Sequence, residues 1–161
     1  MTMLKKPDMI LIDLDGTLVD SVPDLAWCVD EMMKAIGREP HGQDKVREWV
    51  GNGVERLVRR ALVGQLEGEP SDADFEKAHP IFLELYADNT SKRSELYPGV
   101  REGIDWMKSQ GLKLGCVTNK AAQFAAPILE NLGLADDFSI LVAGDTLKEK
   151  KPHPAPLLHA A

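Results

Sequence analysis

Cysteine is scarce in this sequence: Cys28 and Cys116 are the only two in 161 residues. They show no short metal-type spacing, which argues against a disulfide framework and fits free thiols in a reducing compartment. A basic excess is also lacking. Nineteen basic residues against 26 acidic ones leave a net charge of −7, which argues against nucleic acid as a partner. No apolar run approaches the ~20 residues of a membrane span. The segment from Met1 to Asp8 leads into only a short apolar run that Asp13 and Asp15 interrupt, unlike a secretory signal. A cytoplasmic protein without a membrane partner is therefore expected. Repeats and low-complexity tracts are absent. With 43% hydrophobic residues, the chain can bury a core as one domain, or as a small domain plus an insertion.

The apolar run Met9 to Leu14 ends in acid and glycine and reads as a buried parallel strand. Val22 to Ile36 reads as a helix, with Pro23 in its first turn, Leu25, Val29, Met32 and Ile36 at helical spacing, and Gly37 as the stop. A short helical piece ends at Val50. Gly51-Asn52-Gly53 is a loop signal, and Val54, Leu57, Val58, Ala61 and Leu62 mark another amphipathic helix. Ser71 is a candidate cap for a helix carrying Phe75, Phe82, Leu83 and Tyr86, which Pro80 is expected to kink or split. Beyond Tyr97-Pro98-Gly99 the pattern alternates. A helix from Val100 stops at Gly111, a strand spans 113–118, a helix 121–132 and a strand 138–142. That alternation predicts an α/β fold with a Rossmann-like parallel sheet. The expected division is a core of residues 1–19 and 95–161, with residues 20–94 inserted as an all-helical cap.

Asp13-Leu14-Asp15-Gly16-Thr17 is the most informative stretch. Residues i and i+2 of a strand face the same side, so both carboxylates point one way at the carboxyl end of a parallel strand, where open α/β sheets bind ligands. Their repulsion is relieved by a shared cation, and Mg²⁺ is the hard, oxygen-seeking ion usual beside phosphate. Gly16 permits a tight turn whose backbone N–H groups can face an anion. An Asp-x-Asp-Gly is also an ordinary solvated turn, but here it ends an apolar strand. Thr118 and Asn119 precede a helix, where they either cap it or hold phosphate oxygens. Lys151 stands before Pro152, Pro154 and Pro156, which are expected to stiffen the segment in extended form. Lys148, Lys150 and Lys151 read either as a solvated patch or as a source of one ammonium held against the acids. Gly51-Asn52-Gly53 opens a helix carrying Arg56, Arg59 and Arg60. It is either a plain turn with solvated arginines or, because helix N-termini favour anions, a loop that reads a substrate carboxylate.

The set Asp13, Asp15, Thr118 and Lys151 resembles the haloacid dehalogenase superfamily, whose first motif is Asp-x-Asp-Gly-Thr. The strings from Leu14 to Ser21, Val117 to Lys120, Lys151 to Pro156, Trp49 to Gly53 and Leu96 to Val100 are similar to those of its bacterial phosphoglycolate phosphatases. The resemblance implies Mg²⁺-dependent hydrolysis of a small phosphate ester, 2-phosphoglycolate first among them. Asp13 would be the nucleophile that forms an aspartyl-phosphate, and Asp15 the acid and base. Asp13 and the backbone carbonyl of Asp15 would hold Mg²⁺, and Thr118 and Lys151 the phosphoryl oxygens. Gly16, Thr17, Asn119, Gly51, Asn52 and Gly53 complete the expected binding set.

The sequence departs from that family in one respect. The family's fourth motif, an acidic stretch some tens of residues past the Lys, is not reached before Ala161, and Asp145 precedes Lys151. A C-terminally truncated enzyme is therefore expected, with weak Mg²⁺ binding and an exposed edge on the first strand that invites self-association. The alternatives are another phosphatase or a sugar-phosphate mutase of the same superfamily, a receiver-type phosphoacceptor domain, and a non-catalytic remnant.

Overall fold

The computed structural model describes residues 3–161; Met1 and Thr2, at the start of the expected core, lie outside the described residues. Strands β1 (Met9–Ile12), β4 (Lys113–Val117) and β5 (Ile140–Val142) form a parallel sheet in the order β1-β4-β5. Between β1 and β4 the chain forms β2 (Val19–Asp20), four helices, β3 (Glu95–Leu96) and helix α5 (Val100–Ser109). The four helices are α1 (Val22–Ala35), α2 (Gln43–Trp49), α3 (Val54–Val63) and α4 (Asp72–Ala87). Helix α6 (Ala122–Asn131) links β4 to β5, and α7 (Ala155–Ala160) closes the chain. The result is the expected α/β architecture, a parallel-sheet core carrying a helical insertion.

Local signals explain most boundaries. Gly37 takes φ +77°, and two bonds, Gly37 N–H to the Lys34 carbonyl (3.0 Å) and Arg38 N–H to the Met33 carbonyl (2.9 Å), close α1 in a Schellman turn. The Ser71 hydroxyl accepts the Asp74 N–H at 3.2 Å and caps α4. Pro80, however, does not split that helix. A proline inside a helix costs about 3 kcal/mol, and burying two large side chains, here Phe82 and Tyr86, at about 1.5–3 kcal/mol each offsets it. A second correction concerns the C-terminal prolines. Pro154 and Pro156 do not extend the chain but start α7, at its N-cap and in its first turn, where the missing N–H costs nothing.

The apolar interior is layered. Leu14, Leu114, Cys116, Ile128 and Leu129 pack on one face of the sheet under α5 and α6. Val117, Val142 and Ala160 pack on the other under α7. A third cluster joins α1–α4 through Val29, Met32, Trp49, Phe82 and Tyr86, and takes in Phe124 from α6. Among the described residues β1 is paired on one side only, with β4, and its residues are half-buried.

Two features that periodicity did not reveal hold the insertion at its root. β2 and β3 pair antiparallel, Val19 opposite Leu96 and Asp20 opposite Glu95. Beside them the fully buried Asp24 carboxylate accepts the backbone N–H groups of Arg93 (3.0 Å) and Ser94 (2.9 Å), and a 3.2 Å bond from the Arg93 guanidinium. Asp24→Ala would leave these donors without their acceptor, at a cost of about 3 kcal/mol. A urea titration should show a lower midpoint with an unchanged slope; an unmoved midpoint would count against this anchoring role.

Candidate active site

The carboxyl end of β1 opens on a pocket lined by Asp13, Asp15, Thr118, Asn119, Lys120 and Lys151 from the sheet side, and by Gly51, Gly53, Val54 and Leu57 from the insertion. Asp13 and Asp15 thus reach one space, although β1 ends at Ile12, short of the expected Leu14, and both acids lie in the turn that follows it. Lys151 arrives from 138 positions later in the chain: its ammonium donates to Asp13 Oδ1 at 2.9 Å and to the Val117 carbonyl at 2.7 Å. The cation that meets the nearer acid is therefore half-buried and doubly held, while Lys148 and Lys150 are exposed.

Asp15 has a cation of its own, which the sequence reading passed over. Lys120, 5% exposed, sits 2.9 Å from Asp15 Oδ1 and donates to the Tyr86 hydroxyl. Burial opposes its charge, but Tyr86 and Asp15 outweigh that and hold its pKa above the ordinary lysine value. Burial pushes the Tyr86 phenol up to about 12, with Lys120 pulling the other way. Near neutral pH the pair is thus a neutral phenol and an ammonium. Ser21 adds a 2.6 Å hydrogen bond to the same Oδ1. Below the site the Cys116 thiol is raised to about 12, by burial first and then by Asp13 and Asp15; it stays protonated and inert.

The remaining expected residues divide. Thr118 is buried at the end of β4, its hydroxyl accepting the Lys120 N–H at 3.1 Å. Asn119 lines the pocket, yet both ends of its amide are engaged with Lys151: it accepts the Lys151 N–H at 2.9 Å and donates to the Lys151 carbonyl at 3.0 Å. Neither residue caps α6. Its Ala122 N–H goes to Asp145 at 2.9 Å, so Asp145 serves that helix and does not join the pocket. Gly16 and Thr17 lie on an exposed turn outside the pocket lining. Their N–H groups are used within that turn, on the Val19 and Leu14 carbonyls, and do not face an anion. Gly51 and Gly53 do line the pocket; Asn52 instead accepts from Arg60 at 3.0 Å. The arginines of α3 are each tied to a partner, Arg60 buried and Arg56 and Arg59 partly exposed. Arg60 is buried on the Trp49 and Leu66 carbonyls, Arg56 pairs with Glu69, and Arg59 pairs with Glu55 and Glu69.

The oxygen donors of Asp13 and Asp15 suit a hard cation. Among the described residues no third acidic, histidine or cysteine side chain joins them.

A family model described as haloacid dehalogenase-like hydrolase matches residues 10–161. The chain belongs to that family. This haloacid dehalogenase-like hydrolase is 67% identical over 159 residues to a phosphoglycolate phosphatase of Nitrosococcus oceani, covering 99% of the chain and 71% of the relative. It is 46% identical over 153 residues to phosphoglycolate phosphatase 1 of Pseudomonas aeruginosa, covering 94% and 56%. The chain thus spans little more than half the length of the second relative. Among solved structures, a predicted phosphoglycolate phosphatase from Haemophilus somnus superposes with a TM-score of 0.86 at 37% identity, over 94% of this chain and 69% of that one. CbbY from Rhodobacter sphaeroides, solved in complex with phosphate, superposes with a TM-score of 0.69 at 25% identity, over 95% and 70%. No helix among the described residues is long and apolar enough to cross a membrane.

The loops of the site meet without room to spare. Gly144 donates its N–H to the Lys120 carbonyl at 2.8 Å, and a Cβ at 144 would lie 2.0 Å from the Asn119 carbonyl oxygen. Gly144→Ala should therefore cost about 3 kcal/mol or more. Gly103→Ala, in helix α5 with open space around it, should instead stabilise by about 0.5–1 kcal/mol. Thermal melts of the two variants should move in opposite directions; a neutral Gly144→Ala would refute the close-approach argument.

Proposed function

We propose that this hydrolase cleaves a small phosphate monoester, 2-phosphoglycolate in the first instance, through an aspartyl-phosphate on Asp13. The observation that carries the proposal is the pairing of each strand-end carboxylate with its own lysine inside one pocket: Lys151 on Asp13, Lys120 on Asp15. A carboxylate nucleophile and a phosphate ester are both anionic, and the Lys151 ammonium fixed on Asp13 offsets their repulsion where it is greatest, while Lys120 serves the second acid. The phosphoglycolate phosphatase names of the relatives support the substrate.

In the first step an Asp13 oxygen bonds to phosphorus, the phosphorus–ester oxygen bond breaks, and Asp15 gives its proton to the leaving alkoxide. In the second, Asp15 takes a proton from water, the hydroxide oxygen bonds to phosphorus, and the bond to Asp13 breaks to release inorganic phosphate. Splitting one displacement into two lowers each barrier. Lys151 and Thr118 are assigned to the phosphoryl oxygens. The Asp13 carboxylate and the Asp15 backbone carbonyl would hold Mg²⁺, which when bound neutralises charge on the transferring group. The N-terminal N–H groups of α3, behind Gly51 and Gly53, are assigned to the substrate's carboxylate end. In this reading residues 20–94 form a cap that excludes water from the pocket. A cytoplasmic location fits such a metabolic substrate.

Asp13→Asn should abolish phosphate release from phosphoglycolate and from an aryl phosphate alike, with the melting curve preserved. Asp15→Asn should slow release on the order of 10²–10⁴-fold. Phosphate assays with Mg²⁺ present test both. Wild-type turnover by a folded Asp13→Asn protein would refute the mechanism, and a sugar phosphate turned over in preference to phosphoglycolate would move the substrate elsewhere in the family.

A further inference from the structure

The Lys120 ammonium gathers partners from three separate parts of the chain. Asp15 follows β1, Tyr86 lies in the last turn of α4, and Lys120 itself precedes α6. A buried ammonium is kept only where it is paired and hydrogen-bonded, and these two side chains supply that. Tyr86 is fixed in turn. It is fully buried, with its ring between Phe82 (centroids 5.6 Å apart) and Phe124 (4.8 Å), and the Lys120 ammonium stands 4.8 Å from the ring centre. Its hydroxyl can therefore move only if α4 moves relative to α6.

The contacts on Asp15 are lopsided. Lys120 and the Ser21 hydroxyl both bind Oδ1, at 2.9 Å and 2.6 Å. Among the described residues no hydrogen bond is made to Oδ2, and Asp15 lines the pocket. The terminal torsion of an aspartate is broad, so an unrestrained carboxylate would swing. Two donors on one oxygen remove that freedom and present the other oxygen to the ligand.

We propose that Lys120 is a positioning residue for Asp15, and that Tyr86 holds Lys120 in place, so that the seating of α4 against α6 is transmitted to the carboxylate that moves the proton. The proposal rests on the function proposed above. Neither Tyr86 nor Lys120 need touch the substrate for it to hold; their effect is on the rate of the proton step and not on binding.

The test is a double-mutant cycle on kcat and KM in the whole chain, with an aryl phosphate and Mg²⁺. Lys120→Met should lower kcat about 10²-fold, the scale of losing a well-placed acid or base, with KM changed less than about threefold. Lys120→Arg should recover part of that loss. Tyr86→Phe, which removes one oxygen, should lower kcat about tenfold alone and add nothing on top of Lys120→Met, as coupled residues do. Independent, multiplying losses, or a raised KM with kcat intact, would overturn the proposal. Should Lys120→Met not fold, Tyr86→Phe combined with Lys120→Arg completes the cycle. If the unsubstituted chain releases no phosphate, the proposed function fails instead, and the linkage is read by acylation of Lys120 under mass spectrometry. Slow labelling that rises in Tyr86→Phe upholds the Tyr86–Lys120 contact, and equal labelling refutes it.

Discussion

Two carboxylates forced to the same side of one strand end are the constraint around which this protein is arranged. Carboxylates that share one pocket repel each other. The fold answers with one lysine per acid. Lys151 comes from beyond β5 and is held by the Asn119 amide, which grips its backbone from both sides. Lys120 comes from the loop after β4, and Gly144 holds that loop through a backbone contact that no larger residue would allow. The parallel sheet is what brings these loops together, since the carboxyl ends of adjacent strands open at the same edge.

The two lysines differ in kind. Lys151 is partly exposed and meets the more exposed acid, Asp13, so its field reaches an incoming anion. Lys120 is enclosed, and its charge is spent on Asp15 and on the Tyr86 hydroxyl. One cation faces outward to the ligand and the other inward to the machinery. The helical insertion contributes two glycines and aliphatic side chains to the pocket, while its arginines are engaged elsewhere with glutamates and carbonyls.

Much of this was legible in the sequence because the relevant signals are local. The Asp-x-Asp-Gly turn, the Gly37 stop, the Ser71 cap and the alternation after Tyr97 each announce themselves within a few residues. What escaped was non-local. Nothing local marks the lysine after Asn119 until three elements are packed around it. Strands β2 and β3, two residues each, have no periodicity to detect. The prolines after Lys151 read as extended because proline breaks helices, but at the first positions of a helix it begins one. The arginines of α3 looked available because Glu69, which holds Arg56 and Arg59, lies in the loop beyond the helix where only folding brings it near; Glu55, four residues before Arg59, was the one local signal.

The antiparallel pairing at the root of the insertion has a consequence for how such a chain can be built. Asp20 and Glu95 are cross-strand partners, and such partners place their Cα atoms only about 4.5–5.5 Å apart. The polypeptide thus leaves the sheet and rejoins it at nearly the same point in space, after an excursion of more than seventy residues. A tight hairpin turn would span that gap equally well. The helices are in this sense a cassette that the chain enters and leaves at one point, although they also rest on α6 through Tyr86 and Phe124.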